Sequence, residues 1–264
     1  MGKAIVKLQG NQQAEEIEVN PTTCTVKRDG KENHIENLSL DAPVLGTIYG
    51  TLLNYKGSLA ALGAEVNEAP YKEPPKTPIL YIKPVNTIIG YGMPIPLPSD
   101  VPEVEVGAAL GVVIGRHASR VKEEEAMDYV EGYIVVNDIS VPHKSVYRPA
   151  ISQKSRDGFC PVGPWIMERD AVANPDALGI RVYVNGELRQ ENTTENLIRS
   201  VSRLIVDITD FMTLSAGDVL LVGVPENAPI VHAGDRIRIE IDEVGILENT
   251  VLHEDELVTG GEER

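Results

Sequence analysis

Short apolar segments separated by glycine and proline run through most of the chain, and they constrain its fold more than any other feature. The sequence has 23 glycines and 18 prolines in 264 residues, and few of its segments have helical periodicity. Strand patterns do not alternate with helices in the rhythm that builds a parallel α/β sheet. We therefore predict a β-dominated α+β fold with a rolled or barrel-like mixed sheet.

The pattern divides the chain into three parts. Residues 1–46 alternate short strand patterns with turns, one of them at Asp29-Gly30, and predict a small N-terminal β appendage. Residues 47–254 form the main domain, in which the apolar run from Val106 to Gly115 predicts a strand buried on both faces. Residues 255–264 predict a disordered tail, because they are too polar to pack.

Two helices are predicted within the main domain from capping and periodicity. One spans about Lys122 to Val130 and carries three glutamates in its first turn, where the helix dipole favours negative charge. The other has apolar residues on one face and Thr193 or Thr194 as its N-cap. The apolar face consists of Leu197, Val201, Leu204, Ile208 and Met212.

Composition excludes several classes of protein. The net charge is -16, so the surface field repels nucleic acid and anionic lipid. Cys24 and Cys160 do not have the spacing of a disulfide framework or of a zinc site. The apolar runs are short and broken, so no membrane segment is predicted, and we expect a cytoplasmic protein.

The segment from Gly132 to Pro164 has the anatomy of a site. An apolar strand ends on Asn137-Asp138, and Lys154 and Asp157 follow after a loop. Polar groups at strand ends are where a rigid scaffold presents its chemistry. The alternative is an Asx turn with ordinary loop charges, which the spacing by itself leaves open.

Several motifs occur in an order that resembles the fumarylacetoacetate hydrolase family over about residues 47–252. They include NYKGSLAALG, YIKPVNTI, LGVVIGR, YRPAISQKSRDGFCPVGP and VNGELRQENTT. The resemblance implies an isomerase/decarboxylase of 4-hydroxyphenylacetate catabolism that acts on 5-oxopent-3-ene-1,2,5-tricarboxylate or 2-hydroxyhepta-2,4-diene-1,7-dioate. The alternatives are a non-catalytic partner of a metal-bearing sister chain and a C–C bond hydrolase. A homodimer or a hetero-oligomer with such a sister is expected.

The family holds Mg²⁺ through a Glu-x-Glu pair and an aspartate, and the resemblance maps these ligands onto Gly107, Ala109 and Asp138. Asp138 is therefore the only ligand that matches. Glu103 and Glu105 lie four residues upstream, roughly 13 Å along an extended strand, and are predicted to miss the site. Metal binding is accordingly expected to be weak or absent.

The resemblance also assigns the remaining site residues. Lys154 and Asp138 are the expected catalytic pair. The expected substrate-binding residues are Lys83, Tyr133, Arg148, Asp157 and Gln190. The positions of the family's acid/base His and Glu hold Ser58 and Ala61, which leaves His143, Lys154 or Tyr133 to carry protons.

Overall fold

The structure, a computed structural model, describes residues 1–28, 30–69, 72–143 and 150–259. Its strands are β1 Gly2–Val6, β2 Glu15–Asn20, β3 Thr25–Arg28, β4 Lys31–His34, β5 Ile48–Leu52, β6 Ile79–Lys83, β7 Ile88–Ile89, β8 Ile95–Leu97, β9 Val104–Glu105, β10 Ala108–Ile114, β11 Val130–Asn137, β12 Cys160–Glu168, β13 Gly179–Val184, β14 Glu187–Thr193, β15 Val219–Leu221, β16 Ile230–Val231, β17 Arg236–Ile241 and β18 Gly245–His253. The α-helices are α1 Lys56–Ala60, α2 Ile151–Lys154, α3 Val201–Thr209 and α4 Glu254–Thr259. The 3-10 helices are Ile35–Asn37, Gly63–Asn67, Val85–Thr87, Glu123–Tyr129, Arg169–Ala171 and Thr194–Asn196.

Within these described ranges the strands form three sheets. The largest has the order β4-β3-β2-β1-β12-β11-β10-β15-β5-β6, with β7 beside β12. The second has the order β14-β13-β17-β18-β8, and β16 pairs with β9. Most neighbours are antiparallel, but β5, β7 and β8 each pair with a partner in parallel. The prediction of a β-dominated fold with a mixed sheet is confirmed.

The largest sheet is strongly curled, although its hydrogen-bonded path stays open with β4 and β6 at the two ends. Four strand spacings separate β6 from β11, which is roughly 19 Å in a flat sheet. Nevertheless the side chains of Tyr81 and Lys83 on β6 contact Asp138, directly after β11. The curl therefore brings distant strands to one site.

Side-chain alternation divides the apolar residues of this sheet between two cores. Leu110 and Tyr133 belong to the larger core, which also contains residues of the five-stranded sheet. Ala109 and Ile134 belong to a smaller core that includes Cys160. Every residue of β10 is buried, and so is every residue of β11 except Glu131. Both strands are therefore covered on both faces, as predicted for β10 from the run from Val106 to Gly115.

The predicted helices differ from the structure in type and start. The first is a 3-10 helix over Glu123–Tyr129, a form common in short helical segments. The second begins only at Val201, and the Oγ of Ser200 caps it by accepting a hydrogen bond from the backbone N–H of Arg203 at 3.2 Å. Leu197 is held outside the helix because it forms a β-bridge with Tyr55.

The first strand and the last described helix both contact the sheets. Strand β1 pairs with β2 and with β12, so residues 1–46 extend the large sheet; the boundary at residue 46 stays a prediction. At the other end α4 covers Glu254–Thr259, where a disordered tail was predicted. Its first residue accepts a hydrogen bond from the backbone N–H of Ser99 at 2.7 Å. Asp29 of the predicted turn and residues 260–264 of the predicted tail lie outside the described residues.

No described helix is long and apolar enough to cross a bilayer.

Candidate active site

Asp138 is the centre of the candidate site, and the ends of two strands hold it in place. Its backbone N–H donates to the carbonyl oxygen of Gly107 at 2.8 Å. The neighbouring Asn137 accepts a hydrogen bond from the N–H of Gly107 at 3.1 Å. The Asp138 side chain is completely shielded from solvent. The start of β10 and the end of β11 therefore fix a buried carboxylate.

Lys83 is a fully buried partner of this carboxylate. Its Nζ lies 2.9 Å from Oδ1 of Asp138. The same ammonium donates to the carbonyl oxygens of Ile139, at 3.0 Å, and of Lys154, at 2.6 Å. The two carbonyl oxygens use two of the three N–H donors of the lysine. The contact with Asp138 is an ion pair, because Oδ1 has no hydrogen-bond partner among the described residues. Lys83 therefore positions Asp138 and the backbone of Lys154.

Lys154, the last residue of α2, contacts the other oxygen of the carboxylate. Its Nζ donates to Oδ2 of Asp138 at 2.8 Å and lies 4.8 Å from the ring centroid of Tyr81. The side chain is 11% exposed. Among the described residues Asp138 is its only hydrogen-bond acceptor, so two of its three donors have no acceptor within that part of the chain.

The phenol of Tyr81 completes the cluster by donating a hydrogen bond to Oδ2 of Asp138. Burial, and then the charge of Asp138, raise the pKa of Tyr81, so the phenol stays protonated. Burial opposes ionisation of Asp138, but the charges of Lys154 and Lys83 outweigh it and hold the pKa of that carboxyl well below its usual range. The cluster therefore joins an ionised carboxylate to a protonated phenol and to the side-chain nitrogens of two lysines.

A second set of contacts fixes the loop that carries Lys154. The Nδ2 of Asn86 donates to Oδ1 of Asp157 at 2.6 Å and to the carbonyl of Ser155 at 3.1 Å. Arg156 donates to the two carboxylate oxygens of Asp100 through Nη1 and Nη2, at 2.7 and 3.0 Å. Asp157 is exposed, so the described contacts give it a role in holding this loop.

The residues present do not fit the divalent cation that the resemblance implies. A Cβ atom at Gly107 would lie 2.3 Å from the carbonyl oxygen of Asp138, so a side chain has no room there. Ala109 offers only a methyl group, and both oxygens of Asp138 already contact ammonium groups. No group of three His, Cys, Asp or Glu side chains in the described ranges could hold a metal ion.

Two predicted substrate-binding residues, Tyr133 and Gln190, are not brought to this cluster. Tyr133 points to the opposite face of β11, where its buried hydroxyl finds no partner among the described residues. Gln190 donates to the carbonyl oxygen of Glu226 at 2.6 Å and stabilises that loop. Arg148 lies outside the described residues.

Sequence reasoning missed Tyr81, which contacts Asp138. Tyr81 precedes Lys83 by two residues in a strand pattern, and this spacing puts both side chains on one face. Glu105 was predicted to miss the metal site. Its bridge to Ser140, two residues beyond Asp138, continues the antiparallel register of β10 and β11, and this places Glu105 beside the segment that leaves Asp138.

Fold and site together define a rolled β-sheet protein with a buried carboxylate–lysine cluster at a strand end. The profile described as "Fumarylacetoacetate (FAA) hydrolase C-terminal" matches residues 47–252. The chain belongs to the fumarylacetoacetate hydrolase family, a family of enzymes, which confirms the resemblance seen in the sequence.

Two curated relatives illustrate the family chemistry. The 4-hydroxyphenylacetate degradation bifunctional isomerase/decarboxylase of Escherichia coli is 41% identical over 214 residues, which are 81% of this chain and 49% of that protein. A mitochondrial oxaloacetate tautomerase of Xenopus laevis is 38% identical over 188 residues, covering 67% of this chain and 59% of the relative. The chain thus spans about half the length of the curated relatives it matches.

Two solved structures share the fold over nearly the whole chain. The 2-hydroxyhepta-2,4-diene-1,7-dioate isomerase of Mycobacterium marinum has a TM-score of 0.77 at 27% identity, covering 96% of this chain and 99% of that one. A Sphingobium maleylpyruvate hydrolase, in complex with manganese(II) and pyruvate, has a TM-score of 0.75 at 25% identity, covering 95% and 99%. Metal binding therefore occurs in the family.

Proposed function

We propose that this chain converts enol and keto forms of unsaturated dicarboxylates and releases CO₂ from a related tricarboxylate, without a divalent cation in its own site. The substrates proposed are 2-hydroxyhepta-2,4-diene-1,7-dioate and 5-oxopent-3-ene-1,2,5-tricarboxylate. The observation that carries this proposal is the state of Lys154. Its side chain is partly exposed, two of its donors have no acceptor among the described residues, and the carboxylate that it contacts also contacts Lys83.

The charge balance of the cluster favours an anionic ligand. Lys83 and Lys154 contribute two positive charges, and Asp138 contributes one negative charge. One positive charge thus remains uncompensated by direct contacts within the described cluster. A buried unpaired charge is unfavourable, and a carboxylate or enolate oxygen bound to Lys154 would compensate it.

Both reactions pass through the same kind of anion. Loss of the enol proton from the dienol, or loss of CO₂ from the tricarboxylate, leaves a dienolate with negative charge on its oxygen. A preorganised cation at that oxygen stabilises the transition state more than the ground state. Lys154 is held for this role by Asp138, and Tyr81 and Lys83 hold Asp138 in turn.

The test is an assay of the purified chain with both substrates, with and without EDTA. We expect activity that resists the chelator and that falls about 10²- to 10³-fold in Lys154→Met, because a preorganised oxyanion donor is lost. Lys122→Met is the matched control, since Lys122 is exposed and its side chain makes no capping hydrogen bond. This control should keep full activity.

Other outcomes would favour other functions. If the chain is inert alone and Lys154→Met leaves a reconstituted complex with a metal-bearing sister subunit unchanged, the chain is a non-catalytic partner. Hydrolysis of a C–C bond needs a base that activates water, and Ser58 and Ala61 do not supply one. Oxaloacetate is a third substrate for the assay, because a tautomerase is among the relatives.

A further inference from the structure

Glu105 is a carboxylate beside the cluster that neither the family pattern nor the reaction scheme above uses. Its backbone N–H donates to the carbonyl oxygen of Ser140 at 2.8 Å, and the N–H of Ser140 donates back at 3.3 Å. This bridge ties Glu105 to the segment that leaves Asp138. The side chain is half-buried and has no hydrogen bond or ion pair within the described ranges.

Four charged or titratable side chains interact with the Glu105 carboxylate: His143, Lys154, Asp138 and Glu103. His143 is itself anchored, since its Nδ1 lies 2.9 Å from the carbonyl oxygen of Val141. The carboxylate of Glu105 is therefore within electrostatic range of Lys154, the residue proposed to bind the substrate oxygen.

Burial favours the protonated form of the Glu105 carboxyl group. It raises the pKa of Glu105, and the charges of His143 and Lys154 only partly oppose this rise. The protonated form is the one that a proton donor needs.

The alternatives for a proton carrier are poor. Tyr133 faces the larger of the two cores, on the opposite face of β11 from Asp138. Ser58 donates its hydroxyl proton to the carbonyl oxygen of Val224 at 3.0 Å. Lys154 must stay charged to hold the enolate. The Glu105 carboxyl group makes no hydrogen bond or ion pair among the described residues.

We propose that Glu105 is the proton donor to carbon in the reaction of this site, a role that rests on the proposed function. In 2-hydroxyhepta-2,4-diene-1,7-dioate the enol O–H bond breaks and the C2–O bond becomes a carbonyl. The two C=C bonds become one C3=C4 bond, and the Glu105 carboxylic acid delivers its proton to C5. The proton released from the enol oxygen then restores the acid, so the isomerisation is balanced without a co-reactant.

The experiment compares Glu105→Gln with Glu103→Gln in the full chain, using this dienol as substrate. Glu103 is the matched control because it lies two residues away, its carboxylate pairs with His232 at 3.4 Å, and its influence on Glu105 is the weakest of the four. We expect kcat to fall about 10²- to 10⁴-fold in Glu105→Gln, the range for loss of a general acid. KM should change little, the control should keep its activity, and formate should partly restore turnover.

Proton incorporation separates a chemical role from a structural one. In D₂O the wild-type chain should place deuterium at C5 on one face, and the residual reaction of Glu105→Gln should lose this facial preference. If circular dichroism shows that Glu105→Gln does not fold, Glu105→Asp is tested instead. This variant moves the carboxyl group back by one methylene, and a displacement of about 1 Å can lower the rate about 100-fold.

The outcomes distinguish this inference from the function on which it rests. An inert wild-type chain overturns the proposed function itself. An active wild-type chain whose Glu105→Gln or Glu105→Asp variant keeps its kcat overturns the role of Glu105 alone. Equal losses in Glu105→Gln and Glu103→Gln, without rescue by formate, also overturn it.

Discussion

Lys83 and Asp138 form a fully buried ion pair between the edge strand β6 and the end of β11, with 2.9 Å between Nζ and Oδ1. The pair lies where the family pattern implies a divalent cation. The one family ligand that this chain retains is therefore in contact with two lysine side chains. Several predictions about stability and binding depend on these contacts.

Replacing Asp138 by Asn should destabilise the protein strongly. The variant leaves the ammonium of Lys83 buried without a counter-charge, and breaking one side of a buried ion pair costs about 3–5 kcal/mol. Urea unfolding followed by circular dichroism measures the change. The control is Asp100→Asn, whose carboxylate is 68% exposed and pairs with Arg156; that loss should stay within about 1 kcal/mol. Equal effects of the two substitutions would contradict the buried pair.

The contribution of Asp138 to stability should depend on pH in one direction. Because its pKa is lower in the folded than in the unfolded state, its stabilising effect is complete above the unfolded value of about 3.9 and is lost as the pH falls below it. The difference in unfolding free energy between the wild type and Asp138→Asn should thus be constant from about pH 7 to 5 and narrow below about pH 4. Urea titrations over this range test it. A difference that narrows between pH 7 and 6 would assign the effect to another group.

Titration with Mg²⁺ or Mn²⁺ should reveal no stoichiometric site of micromolar affinity at Asp138. The two lysines repel a cation, and the positions of the missing glutamates carry Gly107 and Ala109. Isothermal calorimetry on wild type and Asp138→Asn separates this site from weak binding to the acidic surface, because surface binding is the same in both. Tight binding in the wild type that disappears in the variant would refute the prediction.

The Gly107→Ala variant should be less stable than the wild type and less active. Its Cβ would lie 2.3 Å from the carbonyl oxygen of Asp138, so the backbone that holds the carboxylate must shift. Overpacking of this kind costs about 1–3 kcal/mol. Gly115→Ala is the comparison, since its nearest contact is the Cβ of Glu131 at 3.1 Å. The midpoint temperature of thermal unfolding should be well below that of Gly115→Ala for the Gly107→Ala variant.

Local rules predicted much of the scaffold. Turn residues and short alternating patterns indicated a β-dominated fold, because they depend only on neighbours in sequence. The strand that ends at Asp138 and the loss of the two glutamates were likewise visible in the sequence. Even Tyr133 was open to this reasoning: it lies five residues before Asp138, an odd number, and alternation puts such residues on opposite faces.

The tertiary structure decided what surrounds the carboxylate. Lys83 precedes Asp138 by 55 residues, and only the curl accumulated over five neighbouring strands brings the two together. The antiparallel register of β10 and β11 likewise continues to Glu105 and Ser140, and it places Glu105 beside the segment that leaves Asp138. The sequence determined the elements and the missing metal ligands because these are local properties. Which charged groups surround Asp138 could be known only from the fold. The curl of the sheet is the sum of small twists between neighbouring strands, and no single segment of the sequence encodes that sum.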